Sequence, residues 1–234
     1  MDHSKRINKL QKTLRKKKLD AILITQPENR QYLCGFSDGD HGIAETSGVL
    51  LVPANSSPCF LTDFRYKIQA EKETDGIEVL LYSKGLLALL GLLLPELNIK
   101  TLGFESHYFL HSTFNKLSEL AEQSSFSLSA QTEIVEKMRL IKDEDEIDLI
   151  KKSVQLNEQV FTEIYGRISP SMTEIDLALQ IESLMKQKGA SKPSFDTIVA
   201  SASNSALPHA VPTGEKIRQD KPLTIDMGLI LDGY

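Results

Sequence analysis

Two residues of this chain are of a type and in a setting that could do chemistry, Asp226 and His209. Asp226 interrupts the run Leu223-Thr224-Ile225-Asp226-Met227-Gly228-Leu229-Ile230-Leu231, which places a carboxylate inside an otherwise aliphatic strand. Burying such a charge unpaired costs several kcal/mol, so it calls for a cation, a metal or a dense set of donors. The plainer arrangement is the open face of a half-exposed strand, or its turn. Gly228, two residues on, suits a bulge or a close backbone approach. His209 follows Pro208 in a loop of small residues, with Ser203-Asn204-Ser205-Ala206 before it and Ala210 after it. An imidazole with so little cover suits proton transfer, an oxyanion contact or substrate binding. Ser205 and His209 do not read as nucleophile and base, because no G-x-S-x-G turn surrounds the serine. The remaining histidines read as surface or structural residues: His3 at a ragged terminus, and His41, His107 and His111 without a partner pattern.

The elements that must position these residues divide into two groups. Ile7, Leu10 and Leu14 recur at helical spacing among Lys and Arg, which predicts an amphipathic helix with a solvated basic face. Strands follow over Leu19 to Thr25, Gly48 to Pro53, Pro58 to Asp63, Ile77 to Tyr82 and Thr101 to Phe104. A charged helix from Phe64 to Glu73 and an apolar, buried one from Leu86 to Leu97 alternate with them, which argues for an α/β layered domain. The Ser-rich stretch Gln123 to Gln131 reads as a link, so the domains are expected over 1–127 and 128–234. In the second, Asp143 to Tyr165 predicts a long helix with acidic residues crowded into its first turn. Thr173-Glu174-Ile175-Asp176 has the form of a capping box opening another helix, closed at Gly189. Phe195 to Ser201 and Leu223 to Leu231 read as strands.

Composition narrows the function classes. The 27 Lys and Arg against 32 Asp and Glu give a net charge of −5, without the basic surplus that nucleic-acid binding requires. The most apolar stretch, Leu86 to Leu94, contains Gly91 and meets Pro95, well below the roughly 18 residues of a membrane span. Lys16, Lys17 and Lys18 lead into only Ala21-Ile22-Leu23-Ile24, too short for the apolar core of a signal peptide. Cys34 and Cys59 lie in strand-like surroundings without CxxC spacing and read as buried free thiols, which fits a reducing cytoplasm.

The motifs together resemble a known family. Phe195-Asp196-Thr197-Ile198-Val199-Ala200-Ser201, then Asn204-Ser205-Ala206-Leu207-Pro208-His209, Ile225-Asp226-Met227-Gly228 and Asp232-Gly233-Tyr234 resemble the Xaa-Pro peptidase branch of the pita-bread metallopeptidases. Met138-Arg139-Leu140-Ile141-Lys142, running on through Glu144, Glu146 and Ile147, matches the opening helix of that family's catalytic domain. Tyr32-Leu33-Cys34-Gly35-Phe36 and Leu61-Thr62-Asp63-Phe64-Arg65-Tyr66 resemble the creatinase-like N-terminal domain. The resemblance implies an α/β creatinase-like domain followed by the first half of a pita-bread catalytic domain. It further implies a metal-dependent aminopeptidase that releases the N-terminal residue from Xaa-Pro peptides, with a proline dipeptidase or a non-catalytic binding module as alternatives. Two divalent ions, manganese with cobalt or zinc as alternatives, would share a bridging hydroxide that attacks the scissile carbonyl. In the family motif D-x-G-x4-G-Y-x-[SA]-D, Asp226 matches the first metal ligand. His209 matches the histidine that touches substrate without binding metal. The motif runs past Tyr234, so the chain is expected to be C-terminally incomplete and inactive by itself. Proline-containing peptides are the implied partners, with no nucleic acid or membrane, and the resemblance implies a homo-oligomer formed through the N-terminal domain.

Overall fold

Ile7, Leu10 and Leu14 are sealed from solvent on one face of helix α1 (His3–Lys16), as their spacing predicts. A computed structural model describes residues 2–37, 42–74 and 76–234; the reading of His41 lies outside them. The described chain divides into two compact units, Met1–Ile141 and Lys142–Tyr234.

In the first unit β1 (Ala21–Ile24), β2 (Val49–Pro53), β3 (Cys59–Thr62), β4 (Glu78–Leu81), β5 (Thr101–Glu105) and β6 (Ser127–Gln131) form one sheet in the order β4-β3-β2-β1-β5-β6. The aliphatic runs of β1 to β3 are buried throughout because both faces of the sheet are covered. Ile22, Ile24, Leu50, Val52 and Phe60 join α1, α2 (Pro27–Cys34) and α6 (Ile134–Arg139) in one core. Alternate residues, Ala21, Leu23, Val49, Leu51 and Leu61, join α4 (Leu86–Glu96) and α5 (His111–Ser124) in another. Helix α3 (Lys67–Glu73), between β3 and β4, is shorter than its sequence suggests, with Phe64 exposed ahead of it.

Several expectations are corrected here. The Gln123 to Gln131 stretch is no link: it leaves α5 and becomes β6, paired in parallel along β5 from Thr101–Ser127 to Glu105–Gln131. An edge strand exposed on one side tolerates serine, so polarity there mimicked a linker. The first unit accordingly continues past residue 127, through α6 to Ile141. Cys34 ends helix α2 rather than lying in a strand, because Pro27 opens that helix at a position where its missing N–H costs nothing. Both thiols are nevertheless free and buried, and burial pushes them up to about 11 for Cys34 and about 12 for Cys59. Pro95 sits inside the last turn of α4 instead of ending it, and Leu92 is exposed, so that helix is only partly buried. His3 is not ragged: it lies in α1, capped by Asp2, with Nδ1 3.2 Å from the Tyr32 carbonyl.

In the second unit α7 (Glu144–Tyr165) and α8 (Glu174–Gln187) begin at capping boxes, Asp143 with Glu146 and Thr173 with Asp176. They pack with β8 (Ile198–Ser201) around Val160, Ile164, Leu177, Ile181, Met185 and Val199. Ile147, Ile150, Val154 and Phe161 lie on the exposed side of α7. The run Leu223 to Leu231 is two short strands, β9 (Leu223–Asp226) and β10 (Leu229–Ile230), broken at Met227-Gly228. β9 pairs with β8, and β10 pairs with β7 (Lys192–Pro193). Among the described residues no helix is long and apolar enough to cross a membrane.

Candidate functional site

The ladder of β8 and β9 sets the frame. Its register opposes Ile198 to Asp226 and Ser201 to Leu223, so Asp226 lies at one end and the chain bearing His209 leaves from the other. Asp226 is exposed at the end of β9, in the plainer of the two arrangements its sequence allowed. His209 is exposed in the turn after Pro208, and its ring makes no hydrogen bond to another described residue. The structure therefore joins both to one two-stranded ladder without bringing them into contact. Ser205 is spoken for: its hydroxyl donates to the Ala202 carbonyl at 2.6 Å within a short 3-10 helix, Ala202–Ala206.

What holds the His209 segment is Glu174, the first residue of α8, only 1% exposed. Its Oε1 accepts from the Ser201 amide at 2.6 Å. Its Oε2 accepts from Asn204 Nδ2 at 2.8 Å, from the Thr213 amide at 2.8 Å and from the Thr213 hydroxyl at 2.7 Å. Burial would raise this carboxyl, but the Thr213 and Ser201 donors outweigh it and hold it below the usual glutamate range. The same helix start donates to the loop's backbone, with Glu174 N–H donating to the Glu215 carbonyl and Ile175 N–H to that of Thr213. One carboxylate thus fixes both ends of the 202–213 segment that carries His209. Sequence reasoning missed Glu174 because the capping box explained it. The available signal was a glutamate in the first turn whose capping partners, Thr173 and Asp176, already served the cap without it.

Gly228 earns its place by contact. A Cβ there would clash with Ser194 Oγ and lie 3.0 Å from Phe195 Cε1, while the Gly228 carbonyl accepts from the Ser194 amide at 3.0 Å. Tyr234 reaches back to donate its hydroxyl to Glu146 Oε1 at 2.8 Å.

A second polar cluster, in the first unit, was not anticipated. Glu105, at the end of β5, accepts from the Thr25 and Gln26 amides at 2.6 and 2.8 Å through Oε2, and from Asn29 Nδ2 at 2.6 Å through Oε1. Asn29 Nδ2 also donates to Glu136 Oε1 at 2.6 Å, and His107 Nε2 lies 3.1 Å from that oxygen. His107 therefore has a partner, and its structural reading stands. This cluster ties α2 and α6 to the sheet, and His111 merely opens α5, with Nε2 3.4 Å from Asn115.

The arrangement matches known proteins. A model of the creatinase/prolidase N-terminal domain covers residues 6–141, and one of metallopeptidase family M24 covers residues 148–234. The chain belongs to the creatinase/prolidase family of M24 peptidases. It is 33% identical, over 92% of its length, to the uncharacterized peptidase YqhT of Bacillus subtilis, of which it spans 58%. It superposes with a TM-score of 0.87 on an Xaa-Pro dipeptidase from Bacillus anthracis, at 32% identity, covering 100% of this chain and 62% of that one. An X-Pro aminopeptidase from Thermotoga maritima aligns with a TM-score of 0.79 at 31% identity, over 93% of this chain and 60% of that one. The M24 chain thus spans about three fifths of the relatives it matches.

An M24 metallopeptidase implies divalent metal ions. Among the described residues no group of three or more His, Cys, Asp or Glu side chains is placed to hold one. Exposed Asp226 is a single carboxylate, whereas such a centre needs several fixed ligands with oriented surroundings. The described residues do not by themselves fit the ion.

Proposed function

We propose that this chain is part of a metal-dependent aminopeptidase of the cytoplasm that releases the N-terminal residue from peptides whose second residue is proline. His209 contacts the substrate and stabilises charge on the carbonyl oxygen, and Asp226 supplies one carboxylate toward the metal. The observation that supports this is the Glu174 clamp: it fixes the 202–213 segment at both ends, so the exposed His209 is presented from an ordered loop. Preorganised donors of this kind stabilise developing charge without reorganising as it forms. The similarity to an Xaa-Pro dipeptidase and an X-Pro aminopeptidase supports the substrate class. A proline dipeptidase is the second reading, favoured by the higher TM-score to the Xaa-Pro dipeptidase of Bacillus anthracis.

The test is made on the protein that contains residues 1–234, with a proline-containing tripeptide and an Xaa-Pro dipeptide, in manganese, cobalt or zinc and with a chelator. Release from the tripeptide that is lost with the chelator and in Asp226→Ala is the expected result. Release from the dipeptide alone would replace the aminopeptidase by the dipeptidase, and release unaltered in Asp226→Ala would remove the ligand role.

A further inference from the structure

The first unit holds a cavity that the peptidase reading does not use. β1 runs parallel to β5, and β3 runs parallel to β4, while β2 is antiparallel to β1 and β3. The carboxyl ends of β1, β3, β4 and β5 therefore meet at one edge of the sheet, beside the start of β2. Loops that diverge from such an edge leave the crevice in which open α/β sheets hold ligands. Thr25 after β1, Val49 at the start of β2, Lys84 after β4 and Tyr108 after β5 line a cavity of about 340 Å3 there. That volume lies in the range of small-molecule sites, roughly 300 to 1,000 Å3.

The walls are largely apolar, built by Ile43, Val49, Leu86, Leu87, Phe109 and Leu110. Two charged side chains share them, Lys84 and Glu45, both exposed. Neither makes an ion pair or a side-chain hydrogen bond with another described residue. An apolar ligand would leave both charges unused, and a simple anion or cation would meet one partner and one like charge. We propose that this cavity binds a small zwitterion with an apolar side chain, a free amino acid or a dipeptide, with its carboxylate at Lys84 and its ammonium at Glu45. The apolar wall receives the side chain. Because both charged groups stay hydrated until the ligand arrives, pairing them costs less desolvation than a buried pair would. The site lies wholly in the first unit and does not depend on the peptidase reading.

Calorimetric titration of the 234-residue chain with L-leucine, with L-leucyl-L-proline and with uncharged N-acetyl-L-leucine amide tests the proposal. Binding of at least one zwitterion, with the blocked amide at least tenfold weaker, is expected, and which zwitterion binds decides between amino acid and dipeptide. Lys84→Ala and Glu45→Ala should each weaken that binding about tenfold, as loss of a charge-assisted contact does. Both side chains are exposed, so unchanged melting temperatures will show that the variants are folded. Asp226→Ala should bind the zwitterion as the parent does, which separates this site from the peptidase reading. No binding of either zwitterion, equal binding of the blocked amide, or variants that bind as tightly as the parent would overturn the proposal.

Discussion

Glu174 and Thr213 are joined twice, since Glu174 Oε2 accepts from both the amide and the hydroxyl of Thr213 while Oε1 takes the Ser201 amide. Replacing Glu174 by Gln turns one acceptor into a donor that faces other donors. The expected cost is about 2 kcal/mol, the scale for hydrogen bonds to a charged group, read as a lower denaturation midpoint of the second unit. The carboxyl is held below its unfolded value, so its contribution is complete above the ordinary glutamate range and is lost as pH falls through the lower folded value. Acid should therefore destabilise the parent more steeply than Glu174→Gln. Equal slopes would show that the clamp carries no titrating charge.

Glu105 should show the opposite sign. Burial pushes its carboxyl up against the Gln26, Asn29 and Thr25 donors, with Glu136 adding to the rise. A carboxyl raised on folding favours the protonated native state, so its contribution is present below the unfolded value and falls as pH rises through the folded one. In Glu105→Gln that component should vanish, leaving a first unit whose stability changes less between the ordinary glutamate value and neutrality. Denaturant midpoints measured across that interval check it, and an unchanged pH dependence would refute it.

How much of this was legible beforehand differs between the units. The aliphatic strands 21–24, 49–53 and 59–62, the acidic first turn of α7 and the capping box of α8 announced themselves, because periodicity and helix-end chemistry are local. β6 did not, since Ser127 and Ser129 carry no strand signal and the strand exists only by pairing with β5. Helix α2 was equally silent, since Asn29 and Arg30 are buried polar residues whose hydrogen bonds run to distant partners. At the candidate site the motifs pointed to His209 and Asp226. Glu174, Thr213 and Asn204 required the fold, because their hydrogen bonds join residues 30 to 39 positions apart.

Gly228→Ala tests the close approach at the β9–β10 break. The added methyl would fall inside contact distance of Ser194 Oγ and against the Phe195 ring. Overpacking of this kind costs about 1 to 3 kcal/mol. Adding Ser194→Ala should restore only part of that, because Phe195 remains. Full recovery in the double variant would mean that the ring yields freely, and no loss in the single variant would mean that the backbone does.

His209→Ala is expected to lower kcat of the protein containing this chain by roughly a hundredfold, the scale for losing one oxyanion donor. Bound metal, measured by elemental analysis, should stay at the parental level, because the ring projects from the turn after Pro208 and Asp226 belongs to β9. Loss of metal together with activity would assign His209 to the ion instead.

Residues 1–234 expressed alone are expected to release no N-terminal residue from an Xaa-Pro peptide, even with excess manganese or cobalt. Asp226 is one exposed carboxylate, and among the described residues no group of three or more His, Cys, Asp or Glu side chains is placed to hold an ion. An ion on one monodentate group exchanges into water and cannot hold a nucleophile against a carbonyl. The exposed His209 would still be presented by the Glu174 clamp, so the chain should remain folded while inactive. Incubation with peptide and each metal, beside a chelator control and a circular dichroism spectrum of the same sample, decides it. Metal-dependent release from the folded chain would overturn the prediction and require a second copy to complete the site. In that case activity should fall with the square of protein concentration on dilution, which a dilution series would show directly.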